Sequence, residues 1–376
     1  MRLLSVDILR TLAIVMMVLV HFVENLAIGY GLEAPQSVAS HRPWWLPVSL
    51  AAPLFTLLSG VSYRAWVAVL KTRDVPDEVI SKRSVRRGLF LIGLGFFFNV
   101  FVWLPEDTFN WDILTFIGSA LIFLNVLRSA PAEILPVVAF LIAAISPTLR
   151  MVADYPAFWT NSYFDYDFTL TDVIQGYLAT GYFPLFPWLL FPVAGYAIAP
   201  LVLPEQHGRN QMPSAPQFFR LGILLLGVAL LVRFAPWDAP LGSELCFSMF
   251  PASTRYLLSV LSGGIGGLFL LHSLVDLRPA SEGERRQSLS AALICRVISR
   301  HSLSLYLLHH VVHIWPLWVY GLATTGEPTS HWQTLMPAPV AAGLAVLFCA
   351  GSVPLFLLID HRGWPTVETM MRWVAD

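Results

Sequence analysis

The segment LSVDILRTLAIVMMVLVHFVENL, residues 4–26, decides the fold of this chain. It is long enough to cross a bilayer as a helix and is mostly apolar, yet it contains Arg10 and His21. Eleven residues make about three helical turns, so these two side chains lie within about 20° of each other and roughly 16 Å apart along the axis. Asp7 and Glu24 extend the same stripe by about one turn at either end. Because each charged group in hydrocarbon costs at least ~2.5–3.5 kcal/mol, the stripe must face a protein interior or a wet cavity.

The composition of the whole chain agrees with a membrane protein. Of its 376 residues, 56% are hydrophobic and only 12% are charged, which excludes an ordinary soluble domain. The net charge of −1 gives no indication of a nucleic-acid partner. The three cysteines are far apart and indicate neither a metal site nor a disulfide framework. Since Arg10 and His21 interrupt the first apolar run, we expect a retained span rather than a cleaved signal peptide.

Apolar runs of membrane length recur along the sequence and predict an all-α, polytopic integral membrane protein with about ten transmembrane helices in a single domain, residues 1–376. They lie roughly at 9–29, 45–70, 88–104, 113–127, 133–149, 182–203, 219–236, 254–277, 298–320 and 338–360. With the N-terminus inside, seventeen of the 23 Lys and Arg residues fall in inner segments and four in outer ones. This asymmetry predicts cytoplasmic N- and C-termini.

Three of the predicted outer connections, 30–44, 150–181 and 237–253, are long enough to do more than turn. The second is rich in aromatic and acidic residues, a composition typical of surfaces that stack on sugar rings and bind hydroxyl groups. The same composition also suits a belt of Tyr and Trp anchors at the membrane interface, and the sequence leaves both interpretations open.

Five stretches resemble the transmembrane acyltransferases. SVDILRTLAIVMMVLVHF (5–22) is similar to the first helix of the type-3 acyltransferases, which carries a basic residue, ten spacers and a histidine, here Arg10 and His21. The other four resemble the heparan-α-glucosaminide N-acetyltransferase-like branch: APLFTLLSGVSY (52–63), NWDILTFIGSALIFL (110–124), GYFPLFPWLLFPVAGYAIA (181–199) and RHSLSLYLLHHVV (300–312). The resemblance covers about residues 4–315 and implies an acyl-CoA-dependent acyltransferase.

The resemblance leaves the catalytic histidine open. One branch places it at the end of the first helix, as His21 is placed here, and the other in the loop before the second helix, near His41. The usual Arg-Gly of the first helix is Arg10-Thr11 in this chain. A histidine suits the role of base because its ordinary pKa near 6.5 lets it take and return a proton near neutral pH. Glu24, one turn beyond His21, is the residue we expect to hold its ring.

The acyl donor would meet basic groups at the inner side. Arg10 has the position to contact the phosphate or pantetheine arm of acyl-CoA, or else to anchor the helix beside Asp7. The nucleotide phosphates could be bound by the inner-loop residues Lys82, Arg83, Arg86 and Arg87. The same four residues would also satisfy the positive-inside rule without any ligand.

The ninth apolar run, RHSLSLYLLHHVVHIW, is unusually polar for a span. The residues expected to share one face of its helix, and so to line an acceptor pocket or a proton path, are Ser302, Tyr306, His309 and His313. A polar network between helices is the simpler alternative. His310 is expected to point away from this face. No metal is expected, because the helix contains no Asp or Glu to complete a site.

The leading interpretation is a membrane-embedded acyltransferase that moves an acyl group, expected to be acetyl, from cytoplasmic acyl-CoA to an extracytoplasmic sugar or glycan hydroxyl or amine. Its expected partners are the lipid bilayer, here a bacterial inner membrane, and a small-molecule or glycan acceptor. A homodimer and the choice between direct transfer and an acylated histidine stay open. The alternative is a proton-coupled transporter or permease that uses the stripe of Asp7, Arg10, His21 and Glu24 as a path, although paired broken helices or internal symmetry are not visible in the sequence.

Overall fold

The computed structural model of the protein describes residues 2–28, 48–160, 163–203, 213–235, 246–278 and 292–376. These residues are helical almost throughout, and their one sheet is a hairpin of β1 (Trp159–Thr160) and β2 (Tyr163–Phe164). The principal helices are α1 (Leu4–Leu26), α2 (Ala51–Lys71), α3 (Asp77–Phe101), α4 (Ile113–Leu127), α5 (Ile134–Val152), α6 (Leu170–Gln175), α7 (Leu190–Val202), α8 (Ala215–Phe234), α9 (Thr254–Leu271), α10 (Ser302–Thr325), α11 (Ala338–Arg362) and α12 (Val367–Ala375).

Eight helical stretches among the described residues are long and apolar enough to cross a bilayer, which confirms an all-α polytopic membrane protein. A helix also overlaps each of the ten predicted apolar runs within the described residues. The two remaining helices are α4, which is apolar but has only 15 residues, and α10, which has 24 residues but carries three histidines.

Helix α1 lies between several other helices, and both of its ends are fixed by distant parts of the chain. At its start, the carboxylate of Asp276 accepts hydrogen bonds from the backbone N–H of Leu4 at 2.9 Å and from the Ser5 hydroxyl. This carboxylate replaces a local cap, because orphan N–H groups at a helix start need acceptors. At its end, the carbonyl of Leu26 accepts from the N–H of Met336 at 3.0 Å. The stripe of Arg10 and His21 is therefore held inside the helical bundle.

Close helix packing depends on small residues at the contact between α2 and α7. A Cβ atom added at Gly60 would clash with the carbonyl oxygen of Pro192, and one added at Gly195 would clash with that of Leu57. Small residues allow helix backbones to approach in this way where helices pack within a membrane.

A group of arginine–carboxylate pairs and a group of packed aromatic rings distinguish two ends of the bundle. At the end that we call the basic end, Arg2, Arg83, Arg87 and Arg300 pair with carboxylates. At the other end, which we call the aromatic end, Trp103, Tyr163 and Trp332 pack on one another. The basic end contains residues that the sequence predicts to be cytoplasmic.

The predicted outer connection 150–181 is partly folded. After α5 it forms a 3₁₀ turn at Tyr155–Phe158, the β1–β2 hairpin and then α6, which continues as a π-helical turn over Gly176–Thr180. Several of its aromatic rings pack on one another and on Trp111 to form a small core. Most of these rings therefore stabilise the connection instead of forming an open stacking surface. The connections 30–44 and 237–253 fall largely outside the described residues.

Candidate functional site

Imidazoles from α1 and α10 meet inside the bundle. The Nδ1 atom of His21 lies 2.9 Å from Nε2 of His309, and the two rings are nearly parallel with centroids 5.2 Å apart. The ring of His310 lies 4.6 Å from that of His21. His309 and His310 are buried and His21 is half-buried. His21 and His309 are thus in direct contact although 288 positions separate them in the sequence.

Backbone carbonyls determine which ring nitrogens carry protons. Nδ1 of His309 lies 3.2 Å from the carbonyl oxygen of Leu305. Because a carbonyl can only accept, this Nδ1 donates, and Nε2 of the neutral ring is left as an acceptor. The Nδ1–H of His21 then donates to that Nε2. As a consequence, Nε2 of His21 carries a free lone pair and can act as a base.

A second imidazole network continues toward the aromatic end. Nδ1 of His313 donates to the carbonyl oxygen of His309, so its Nε2 accepts a hydrogen bond from the Asn25 amide at 2.9 Å. The Asn25 carbonyl in turn accepts from the indole N–H of Trp332 at 3.0 Å. Asn25, which the sequence did not single out, directly follows Glu24 and lies one turn beyond His21. His313 is thus part of a satisfied network between helices.

The side chain that lies beside the His21 ring is that of His309 and not that of Glu24. The Glu24 side chain is exposed, and among the described residues no hydrogen bond joins it to His21. Glu24 lies near the phenols of Tyr163 and Tyr182, with which it interacts electrostatically. In this structure His309, and not Glu24, is the side chain hydrogen-bonded to the His21 ring, a contact that sequence spacing could not reveal.

The expected common pocket on α10 is divided in two. Tyr306, His309 and His313 lie together near α1, while Ser302 lines a separate cavity at the basic end. The reason is length, because eleven helical residues span roughly 16 Å. The expectation that His310 points away was wrong. The His310 ring contacts that of His21 and also those of Phe98 on α3 and of Trp103, which follows α3. Other segments therefore pack against α10 on more than one side.

Asp112 joins this cluster although the sequence did not single it out. Its Oδ1 accepts from the backbone N–H of Leu114 at 2.7 Å, which caps α4, and its Oδ2 accepts from the Tyr306 hydroxyl at 2.5 Å. Burial raises the pKa of this carboxyl to about 6, against the opposing effect of these hydrogen bonds. The signal that could have indicated it is an Asp directly before an apolar run, which is typical of a helix cap.

Arg10 faces a cavity of about 440 Å³ at the basic end. One of its guanidinium nitrogens donates to the Ser299 hydroxyl at 3.2 Å and another to the Ser62 hydroxyl. The carboxylate of Asp7, one turn away, instead pairs with Arg2 at 2.6 Å. The anchoring alternative, in which Arg10 pairs with Asp7, is therefore not the observed arrangement. Arg2 and Arg300, absent from the predicted donor site, also line this cavity.

The predicted phosphate-binding residues of α3 lie outside the cavity lining. Lys82 pairs with Glu78 at 2.7 Å on the surface, and Arg86 is exposed. Arg83 lies 3.6 Å from the carboxylate of Asp376. Lys82, Arg83 and Arg86 are neighbours of Arg87 in the sequence, but closeness in the sequence does not bring them to the cavity.

Arg87, from the same segment, contacts a residue of the cavity lining. Its guanidinium lies 4.2 Å above the ring of Trp66, and Trp66 is itself part of the cavity lining. Arg87 also lies 3.5 Å from the carboxylate of Asp376. The alternative candidate for the base, His41, lies outside the described residues.

The half-buried imidazole of His21, whose Nε2 has no hydrogen-bond partner among the described residues, thus lies within a helical bundle of an integral membrane protein. The chain matches the family model described as heparan-alpha-glucosaminide N-acetyltransferase, catalytic, over residues 2–235, and it belongs to that family. The family indicates an acetyltransferase. A search of curated proteins gave no match. Arg10 and His21 lie within the matched region, whereas His309 and His310 lie beyond it.

Proposed function

We propose that this protein transfers an acetyl group from acetyl-CoA, bound at the basic end, to an amine or hydroxyl of a sugar or glycan that approaches from the aromatic end. The observation that carries the proposal is the hydrogen bond between His21 and His309. It supports a neutral His21 whose Nε2 is free to accept a proton. Such a base contributes typically about 10²–10⁴-fold to a rate.

The donor would enter the cavity that Arg10 lines. Arg2, Arg10 and Arg300 supply positive charge there, and an Arg guanidinium matches phosphate oxygens through paired donors. Arg87 on Trp66 adds a cation at the cavity wall. Lys82, Arg83 and Arg86 would contact the nucleotide phosphates of acetyl-CoA outside the cavity. The thiol arm would then extend along the stripe of α1 toward His21, roughly 16 Å from Arg10.

In the reaction, the acceptor nitrogen or oxygen attacks the carbonyl carbon of the thioester. His21 Nε2 takes the proton of the acceptor as the new bond forms, and the sulfur leaves as the C–S bond breaks. The proton then passes from His21 to the departing thiolate. His309 accepts from Nδ1–H throughout and stabilises the positive charge that His21 gains, the part that a carboxylate has in a catalytic triad. Glu24, exposed on the acceptor side, would attract an acceptor that carries an amino group.

The test uses detergent-purified full-length protein with radiolabelled acetyl-CoA and glucosamine as the probe acceptor. We expect release of free CoA thiol together with label on the sugar, and loss of both in His21→Ala. His361→Ala is the matched control, because His361 is an exposed histidine near the end of α11 and is not part of this cluster.

Three results would contradict parts of the proposal. Full activity in His21→Ala would transfer the role of base to His41. Label that stays on the protein when no acceptor is added would replace direct transfer by an acylated intermediate. Absence of thioester cleavage in the wild type would favour the transporter alternative.

A further inference from the structure

We infer that His21, His309 and His310 form a binding site for a divalent transition-metal ion of the Zn²⁺ class, and that an ion bound there blocks acetyl transfer. The metal site rests on the geometry of the three imidazoles alone. The block on acetyl transfer rests in addition on the proposed function. No metal was expected from the sequence because α10 offers no carboxylate, but the structure adds a nitrogen ligand from α1.

The ring nitrogens are close enough to one another for a single ion to bind all three histidines. One nitrogen from each of the three rings lies within 4.8 Å of the others. Zinc binds imidazole nitrogens at about 2.0–2.1 Å in tetrahedral geometry, which separates neighbouring ligand nitrogens by roughly 3.4 Å. The pair of His21 and His309 is already at 2.9 Å. Forming the site requires side-chain rotations that bring the three nitrogens to roughly 3.4 Å from one another.

The outer hydrogen bonds of the rings are those of metal ligands. Nδ1 of His309 donates to the Leu305 carbonyl, and Nδ1 of His310 donates to the Tyr306 carbonyl, each at 3.2 Å. Both bonds fix the tautomer that leaves Nε2 with its lone pair. Histidines that bind metals almost always donate their second ring N–H in this manner. Both rings are buried, which limits competition from water for these lone pairs.

The ligand set selects the kind of ion. Three neutral imidazoles suit zinc, copper, nickel or cobalt, whereas magnesium and calcium prefer carboxylate and carbonyl oxygens. Three nitrogens leave one tetrahedral position open for water or another small ligand.

The ion and the base compete for the same atoms of His21. If the ion binds Nε2, it occupies the lone pair that would accept the proton of the acceptor. If it binds Nδ1, the proton of Nδ1 must move to Nε2, and the hydrogen bond to His309 is lost. In either case His21 cannot act as a base. An ion at this site therefore inhibits the enzyme and is not its cofactor.

The binding test uses metal-free, detergent-purified protein titrated with ZnCl₂ by calorimetry, with the bound metal counted by mass spectrometry. We expect one equivalent of zinc in the wild type and an affinity at least about tenfold lower in His310→Ala, because a ligand is lost. His313→Ala is the matched control, since it removes a buried imidazole one turn away in the same helix and leaves the three ligands intact. Substituting Co²⁺ should give the visible absorption of a tetrahedral site. If His310→Ala fails to fold, His310→Gln serves the same purpose.

The results separate the two parts of the inference. Absence of specific zinc binding in the wild type, or equal loss in His310→Ala and His313→Ala, would overturn the metal site. In the acetyl-transfer assay we expect inhibition at the zinc concentration that fills the site, reversal by a chelator and no effect of Mg²⁺. Unchanged transfer with the site filled would overturn the block. If the protein transfers no acetyl group under any condition, the proposed function fails while the titration still decides the metal site.

Discussion

His21 and His309 come from helices that are far apart in the chain, and each of them alone would be an ordinary imidazole. Together they form a directed pair, because the Leu305 carbonyl fixes the proton of His309 and thereby that of His21. The direction of this pair leaves the lone pair on Nε2 of His21. At this scale the proposed function rests on one hydrogen bond and on the carbonyl that orients it.

We predict that His309→Ala lowers kcat for acetyl transfer by about 10²-fold or more, while KM for acetyl-CoA stays the same, because the donor cavity is remote from His309. His309→Gln should recover part of the activity, since its amide oxygen can accept from Nδ1–H of His21. Steady-state kinetics of the two variants give the measurement. Equal loss in both, or a change confined to KM, would contradict the orienting role.

The position of Arg10 against two serine hydroxyls gives a prediction for donor binding. Arg10→Ala should weaken binding of CoA, measured by calorimetry, because it removes the guanidinium that faces the cavity. Arg10→Lys should recover binding only in part, since an ammonium lacks the paired donors of a guanidinium. Ser62→Ala is a useful companion variant, because it removes a partner of Arg10 without removing charge. CoA affinity that is unchanged in Arg10→Ala would end the donor-site assignment.

Among the helices, α10 shows how a distant segment fixes an element that carries the site. Its start has no side-chain cap of its own. Glu368 on α12 supplies the acceptors: its Oε1 accepts from the N–H groups of Leu303 and Ser304 at 2.8 and 2.9 Å, and its Oε2 accepts from the Ser304 hydroxyl at 2.6 Å. A carboxylate at a helix N-terminus also interacts favourably with the helix dipole.

We predict that Glu368→Ala lowers the free energy of unfolding by about 2 kcal/mol, because three hydrogen bonds to a charged group are lost. Glu368→Gln should lose less, since the amide oxygen can still accept. The thermal midpoint of the purified protein is the measurement, and Glu327→Ala, an exposed carboxylate beyond the other end of α10, is the control. A midpoint shift no larger than that of the control would show that α12 does not stabilise α10.

Over the whole molecule, the separation of a basic and an aromatic end matches the distribution of Lys and Arg along the sequence. The Arg10 cavity opens toward the basic end, and the second imidazole network leads to the aromatic end. If the basic end is cytoplasmic, donor and acceptor reach His21 from opposite sides of the membrane. The proposed transmembrane reaction therefore requires this orientation of the protein.

We predict that the connection at 150–181 is outside the cell and that the turn after α2 is inside. In a background in which Cys246, Cys295 and Cys349 are replaced, Asp165→Cys should react with a membrane-impermeant thiol reagent in intact cells. Arg73→Cys should react only after the membrane is permeabilised, and both positions are exposed in the structure. The reverse pattern would place the basic cavity on the side without CoA and would contradict transmembrane acetyl transfer.

The sequence by itself determined the membrane class, the approximate spans and the polar stripe of α1. These features are local, because apolar length sets a span and spacing on one helix sets a stripe. His21 and Arg10 could be recognised for this reason, as could the shared face of Tyr306, His309 and His313. The family resemblance also rested on short contiguous strings, and the family match confirmed it.

Only the tertiary structure decided which helices meet and at what height. The partner of His21 is His309 instead of Glu24, Ser302 belongs to the Arg10 cavity, and His310 joins the imidazole cluster. The caps supplied by Asp276 and Glu368 are equally distant in sequence. Periodicity gives the angle of a side chain around its own helix, but not the neighbour that this side chain meets. That neighbour is set by the packing of the whole bundle, and with it the proton positions on which the proposed chemistry depends.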